Sequence, residues 1–123
     1  MANSVLAIVA LAALLSSCGS NPQAAAIATT GGDIRRGAAA ITRYGCGSCH
    51  IIPGISGATG LVGPPLSGIA NRVYIGGVLR NTPDEMIRWI EDPHAVDEKT
   101  VMPNLGVSHR DAIDIAGYLY TLK

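Results

Sequence analysis

Phenylalanine is absent from the 123 residues, tryptophan occurs once and tyrosine four times. With so few large side chains, and roughly 90 residues left once an N-terminal leader is set aside, an independent core would be marginal. Net charge is missing too: nine Lys plus Arg balance nine Asp plus Glu, which leaves no electrostatic footprint for nucleic acid or an anionic membrane surface. No apolar run approaches the about 20 residues needed to cross a hydrocarbon core. A Ser/His/Asp set, a phosphate-binding loop and a carboxylate pair are also lacking, so nothing in the chain points to an enzyme. No alternating apolar pattern of useful length occurs, and the expected class is all-α.

What is present begins with an eleven-residue apolar run, Val5 to Leu15, of the length of a signal-peptide core. Met1 to Ser4 carries no Lys or Arg, a departure from the usual positive start of such segments. The run ends in Leu15-Ser16-Ser17-Cys18, which resembles the lipobox of bacterial lipoproteins and implies lipidation at Cys18; a free thiol after ordinary cleavage is the alternative. Residues 1–17 are therefore expected to be a leader, and the product to be exported to the periplasmic side and membrane-anchored through lipid. Gly19 to Gly32 has no charge and little apolar periodicity, so 18–32 is expected to be a flexible tether. Residues 33–123 remain as one domain. Its charge is uneven: between Cys18 and Asn81, Arg35, Arg36, Arg43, Arg72 and Arg80 oppose Asp33 alone, whereas Thr82 to Lys123 carries eight acids against four bases.

The chemistry is concentrated in Cys46-Gly47-Ser48-Cys49-His50. A C-x-x-C-H run is the attachment site of a covalent c-type haem: each thiol adds across one vinyl group and the adjacent imidazole becomes the proximal iron ligand. Two other uses of C-x-x-C fit less well. Structural zinc takes four ligands, and beyond the pentapeptide the chain offers only Cys18, His94 and His109, none at a ligand-like spacing. A thioredoxin-like pair needs a βαβ setting, which the flanks do not supply. A buried porphyrin would also supply the missing core volume, so the haem-free chain is expected to fold poorly.

Three helices are expected around this motif. Asp33 is a plausible N-cap for a helix over Ile34 to Tyr44, with Gly37, Ile41 and Tyr44 on one face. Thr82-Pro83-Asp84-Glu85 announces a second, with Thr82 as cap, Pro83 at the first position and Glu85 closing a capping box; Pro93 should end it. A third starts at Ser108 and carries Ile115, Tyr118, Leu119 and Leu122 on one side. From His50 to Arg80, ten residues are Gly or Pro. Such a stretch is long for a loop but suited to wrapping a flat ligand, since glycines permit positive-φ turns.

With these residues in view, the chain over 33–123 resembles the class I c-type cytochromes. In that family an N-terminal helix with a Gly and an apolar residue four on crosses a C-terminal helix bearing an aromatic, which Gly37, Ile41, Ile115 and Tyr118 match. The resemblance implies three main helices and Gly/Pro-rich loops around one covalent haem. It also implies that the Pro64 carbonyl of Gly63-Pro64-Pro65-Leu66 accepts from the His50 ring, that Arg72 lies on the propionate side, and that Trp89 faces the haem, with Tyr74 in the same group of cofactor contacts. Met102 lies nine residues after Pro93, the family's separation for the distal iron ligand. Met86 reads instead as a core residue of the middle helix, His94 and His109 as exposed, and Lys99 as an alkaline replacement ligand.

His50 and Met102 together would fill both axial positions of the iron, which implies outer-sphere transfer rather than chemistry on a substrate. The expected function is a monomeric monohaem electron carrier between redox protein partners. The alternatives are a haem subunit of a dehydrogenase or oxidase complex, or a sensor or enzyme with a labile Met102.

Overall fold

The computed structural model describes Gly19 and residues 21–123, and the leader segment 1–17 and Cys18 lie outside them. The described chain is mostly helical, with five α-helices and one two-stranded sheet. Helix α1 spans Pro22–Thr30, α2 Ile34–Tyr44, α3 Pro83–Glu91, α4 Pro93–Val96 and α5 His109–Leu119; strands β1 Tyr74–Ile75 and β2 Leu79–Arg80 pair antiparallel.

Each main helix starts where a short polar side chain satisfies its free N–H groups. Asp33 accepts from the amides of Arg35 and Arg36, both at 2.9 Å, and Thr82 accepts from Glu85 N–H at 3.4 Å. The second half of the expected box at Thr82 is not made: its own N–H donates to the Arg80 carbonyl at 2.9 Å, and Glu85 turns to Arg88 at 3.3 Å. Pro93 does not simply end the middle helix. Asp92 closes α3 and accepts from Ala95 N–H at 3.1 Å, so Pro93 becomes the first residue of α4.

The α5 helix is the hub, with α1, α2 and α3 all packed on it. Its buried stripe is Ala112, Ile115, Ala116 and Leu119. The crossing with α2 is as close as backbones come: a Cβ on Gly37 would sit 2.1 Å from the Asp114 carbonyl oxygen and 3.0 Å from Tyr118 Cβ. Asp114 is buried at the same crossing, 1% exposed. It accepts from Asp33 N–H at 2.8 Å and Arg36 Nε at 2.8 Å, with Arg110 at 3.6 Å.

Two further expectations are corrected. The tether expected over 18–32 is, from Pro22 to Thr30, helix α1, begun by Asn21 accepting from Gln23 N–H at 3.0 Å and closed by Gly31 at φ +74°. Gln23 also receives the Ile34 amide at 3.0 Å, and Ala26 is buried. The segment lacks apolar periodicity yet is helix-favouring through three consecutive alanines, and α1 docks because Gly32 and Gly117 let the backbones approach; a Cβ on Gly32 would lie 2.3 Å from the Ile113 carbonyl oxygen. The small sheet is likewise outside a strictly all-α reading. Its strands are too short to show a period of two, and Gly76 and Gly77, at φ +57° and +77°, make the turn between them.

Candidate cofactor cleft

The Cys46-to-His50 loop is positioned by the end of α2. Gly45, at φ +74°, stops the helix, and a single 3₁₀ turn over Cys46–Ser48 follows, closed by Cys49 N–H to the Cys46 carbonyl at 3.2 Å, which also accepts from His50 N–H at 3.1 Å. Cys46 and Cys49 are free thiols, partly buried. Burial pushes the Cys46 thiol up and the neighbouring Cys49 adds to this, against a backbone hydrogen bond that lowers it.

A second loop is laid flat on the first. Gly60 N–H donates to the Gly47 carbonyl at 3.0 Å and Gly63 N–H to the Cys49 carbonyl at 2.7 Å. A Cβ on Gly63 would lie 2.3 Å from His50 Cε1, and one on Gly60 2.3 Å from the Ser48 carbonyl oxygen. Only glycines allow this stacking. The sequence reading named Gly63 only as part of Gly63-Pro64-Pro65-Leu66 and did not name Gly60; the dense Gly spacing after His50 was the available signal. The stacked loop brings the Pro64 carbonyl to 2.7 Å from His50 Nδ1. A carbonyl only accepts, so Nδ1 carries the proton and Nε2 keeps its lone pair free for a ligand bond.

Cys46, Cys49, His50, Pro64, Arg72, Tyr74, Trp89 and Met102 all line one open cleft of 380 Å³. Trp89, the only tryptophan, is 9% exposed and its ring lies against the Gly76 backbone. Arg72 donates to the Pro65 and Ser67 carbonyls. Tyr74 stands exposed at the rim beneath the Arg80 guanidinium, 5.9 Å from its ring centre. Ile41, Ile52, Ile75 and Met86 supply buried apolar wall; Met86, 2% exposed, belongs to the core of α3. The other ligand candidates lie elsewhere: His94 donates to the Thr100 carbonyl at 3.2 Å, His109 pairs with Glu91 at 2.6 Å, and Lys99 is exposed and not part of the wall. Among the described residues no three of His, Cys, Asp and Glu converge, so the four ligands of a tetrahedral zinc are not assembled.

The cleft fits a flat, largely apolar group held by sulfur and nitrogen. Two thiols, an imidazole lone pair and a thioether open onto it, and among the described residues no buried side-chain N or O atom lacks a partner that a polar ligand would have to satisfy. The chain is similar over 79 residues, at 32% identity, to cytochrome c oxidase subunit 2 of Alkalihalophilus pseudofirmus (strain ATCC BAA-2126 / JCM 17055 / OF4). That stretch is 63% of this chain but 22% of the relative, so the chain spans about a fifth of the relative's length. No family model and no solved structure matches.

Part of the cleft lining is exposed and apolar, while Arg72 brings a positive charge to it. Val62 and Val101 are 70% and 82% exposed, with Leu61 beside them at 83%, and neither 44–71 nor 100–108 contains a Lys, Arg, Asp or Glu. Among the described residues no helix is long and apolar enough to cross a membrane.

Proposed function

We propose that the chain is a monohaem c-type cytochrome of the class I type, an exported electron carrier rather than an enzyme, anchored to a membrane through lipid on Cys18. The observation that carries this reading is the convergence of Cys46, Cys49, the free Nε2 of His50 and the Met102 thioether on one apolar cleft. When bound there, haem supplies reversible one-electron chemistry at its iron. The residues of the chain do the rest. Cys46 and Cys49 hold the group covalently, and the Pro64 carbonyl fixes the His50 tautomer and strengthens it as a donor. Met102 would hold the group through its thioether, a donor that favours the reduced state of a bound iron. The aliphatic walls and Trp89 exclude water, and Arg72 offers positive charge to a propionate. The open side of the cleft would be the face presented to redox protein partners.

The test is to express the full chain in a host that attaches haem c and measure its mass and spectrum. One haem mass per chain, lost in the Cys46→Ala/Cys49→Ala double variant, and a weak red-region sulfur-to-iron band in the oxidised form, lost in Met102→Leu, are expected. A chain without haem, or one that binds CO readily at rest with Met102 intact, refutes the reading.

A second reading is favoured by the similarity to an oxidase subunit: the same haem domain acting as an electron-entry module of a respiratory oxidase complex. Co-purification of oxidase subunits with the native protein supports it, and isolation as a lone monomer refutes it.

A further inference from the structure

The segment that carries Met102 is held mainly at its two ends. Among the described residues, the hydrogen bonds made by 101–107 are local: Met102 N–H to Thr100 Oγ1 at 3.2 Å and Gly106 N–H to Asn104 Oδ1 at 2.9 Å. None reaches another part of the fold. Upstream, His94 Nε2–H donates to the Thr100 carbonyl at 3.2 Å. Downstream, the segment enters α5 at Ser108, whose N–H donates to the Tyr44 hydroxyl at 3.4 Å and whose Oγ donates to Asp111 Oδ2 at 2.8 Å. Tyr44 donates to the same Asp111 oxygen at 2.8 Å, and Arg43 pairs with it at 2.9 Å. Tyr44 is also the last residue of α2, two before Cys46 and six before His50. One phenol therefore ties the root of the Cys46-to-His50 loop to the exit of the Met102 segment, and residues of both line the cleft.

We propose that Tyr44 is a positioning residue for axial ligation: its hydroxyl, bridging Ser108 and Asp111, fixes the Met102 segment against the helix that ends at the His50 loop. The inference rests on the haem reading above. It concerns how firmly the sulfur is kept in place, which neither the ligand identities nor the helix crossing decides. An exogenous ligand reaches the iron only when the Met102 segment opens, so its apparent affinity rises with the population of the open form. Removing the hydroxyl takes away hydrogen bonds that include one to a carboxylate, while the upstream His94 contact and the buried Val107 remain.

The experiment titrates imidazole into the oxidised, haem-loaded full-length protein and into Tyr44→Phe, Asp111→Asn and Arg36→Ala. Arg36 binds Asp114 at the helix crossing and touches neither the cleft nor the Met102 segment, so its variant reports general loss of stability. Imidazole is expected to bind about tenfold more tightly to Tyr44→Phe, and more tightly to Asp111→Asn, with the sulfur-to-iron band weakened in both. Arg36→Ala should lower the melting temperature yet leave imidazole affinity unchanged. Should Tyr44→Phe not fold, Asp111→Asn carries the same prediction. Wild-type affinity in whichever of the two folds, or an equal gain in Arg36→Ala, overturns the proposal. A wild-type chain without haem overturns the functional reading as well; a loaded wild type with unaltered variants overturns this inference alone.

Discussion

At Pro64 the useful group is a backbone carbonyl, and at Gly63 it is the absence of a side chain. Pro64→Ala keeps the carbonyl that accepts from His50 and loses only ring rigidity, so it should cost under about 1 kcal/mol and leave the axial spectrum intact. Gly63→Ala should do far more harm, since the added Cβ meets the His50 ring at 2.3 Å. Overpacking of this kind costs about 1–3 kcal/mol, and here the atom that must yield belongs to the proposed ligand. A shifted haem spectrum in Gly63→Ala beside an unchanged one in Pro64→Ala is the expected outcome. The two methionines separate in the same way. Met86→Leu conserves volume in a core position and should cost less than about 1.5 kcal/mol, whereas Met102→Leu removes a sulfur that packing cannot replace. The pentapeptide and Met102 were singled out from the sequence because they are rare side chains at fixed spacing, and the structure brings both to one cleft. The roles of Gly60 and Gly63 were not, because a glycine's use depends on what lies beside it.

Among the elements, the α2–α5 crossing is decided by a competition of magnitudes at Gly37. Alanine is favoured over glycine in a helix by about 1 kcal/mol, yet here its Cβ would lie 2.1 Å from a main-chain oxygen of α5, which no rotamer change relieves. Gly37→Ala is therefore expected to lower the melting temperature despite its better helix propensity, as chemical or thermal denaturation will show. The three main helices were visible beforehand, with the boundaries of α2 and the cap of α5 where the sequence placed them, because Asp33, Thr82 and Ser108 act on amides two or three residues away. Helix α1 was not. Its residues have little amphipathic pattern, and its docking depends on Gly117, 85 residues beyond Gly32 in the chain. As a consequence only Gly19 to Asn21 separate Cys18 from an ordered helix, so an anchor at Cys18 would hold the domain near its surface rather than on a long swinging tether.

Over the whole molecule, two properties follow from how the core is assembled. Burial tends to raise the Asp114 pKa, but the hydrogen bonds from Arg36 and the Asp33 amide, with the Arg110 and Arg36 charges, outweigh it and hold the carboxyl below its ordinary value. Asp111 is lowered by Tyr44, Ser108 and Arg43 against a smaller opposing effect of burial. A carboxylate whose pKa is lowered on folding contributes stability above its unfolded value, about 3.9, and that contribution is lost as pH falls through the folded value. Melting temperature should thus drop steeply below about pH 4, and Asp114→Asn, already deprived of the ion pair, should show a lower plateau at neutral pH and a shallower acid decline. The second property is the cleft itself. A 380 Å³ opening bounded by residues of α2, α3 and α5 sits where a solid core would otherwise be, in a chain without phenylalanine. The haem-free Cys46→Ala/Cys49→Ala chain is expected to melt without a sharp transition by calorimetry, and a cooperative melt near that of the loaded protein would contradict it.

The sequence by itself determined the chemistry that can be done and the helices that frame it, since thiols, an imidazole, a thioether and helix caps act through their own atoms and near neighbours. Only the tertiary structure decided that His50 presents Nε2, that Met102 shares its cleft, that Tyr44 joins the two sides and that α1 is part of the body. Each of these depends on pairs far apart in the chain meeting at contact distance, and that meeting is set by backbone approach at glycines and by the packing of α5, which no local pattern encodes.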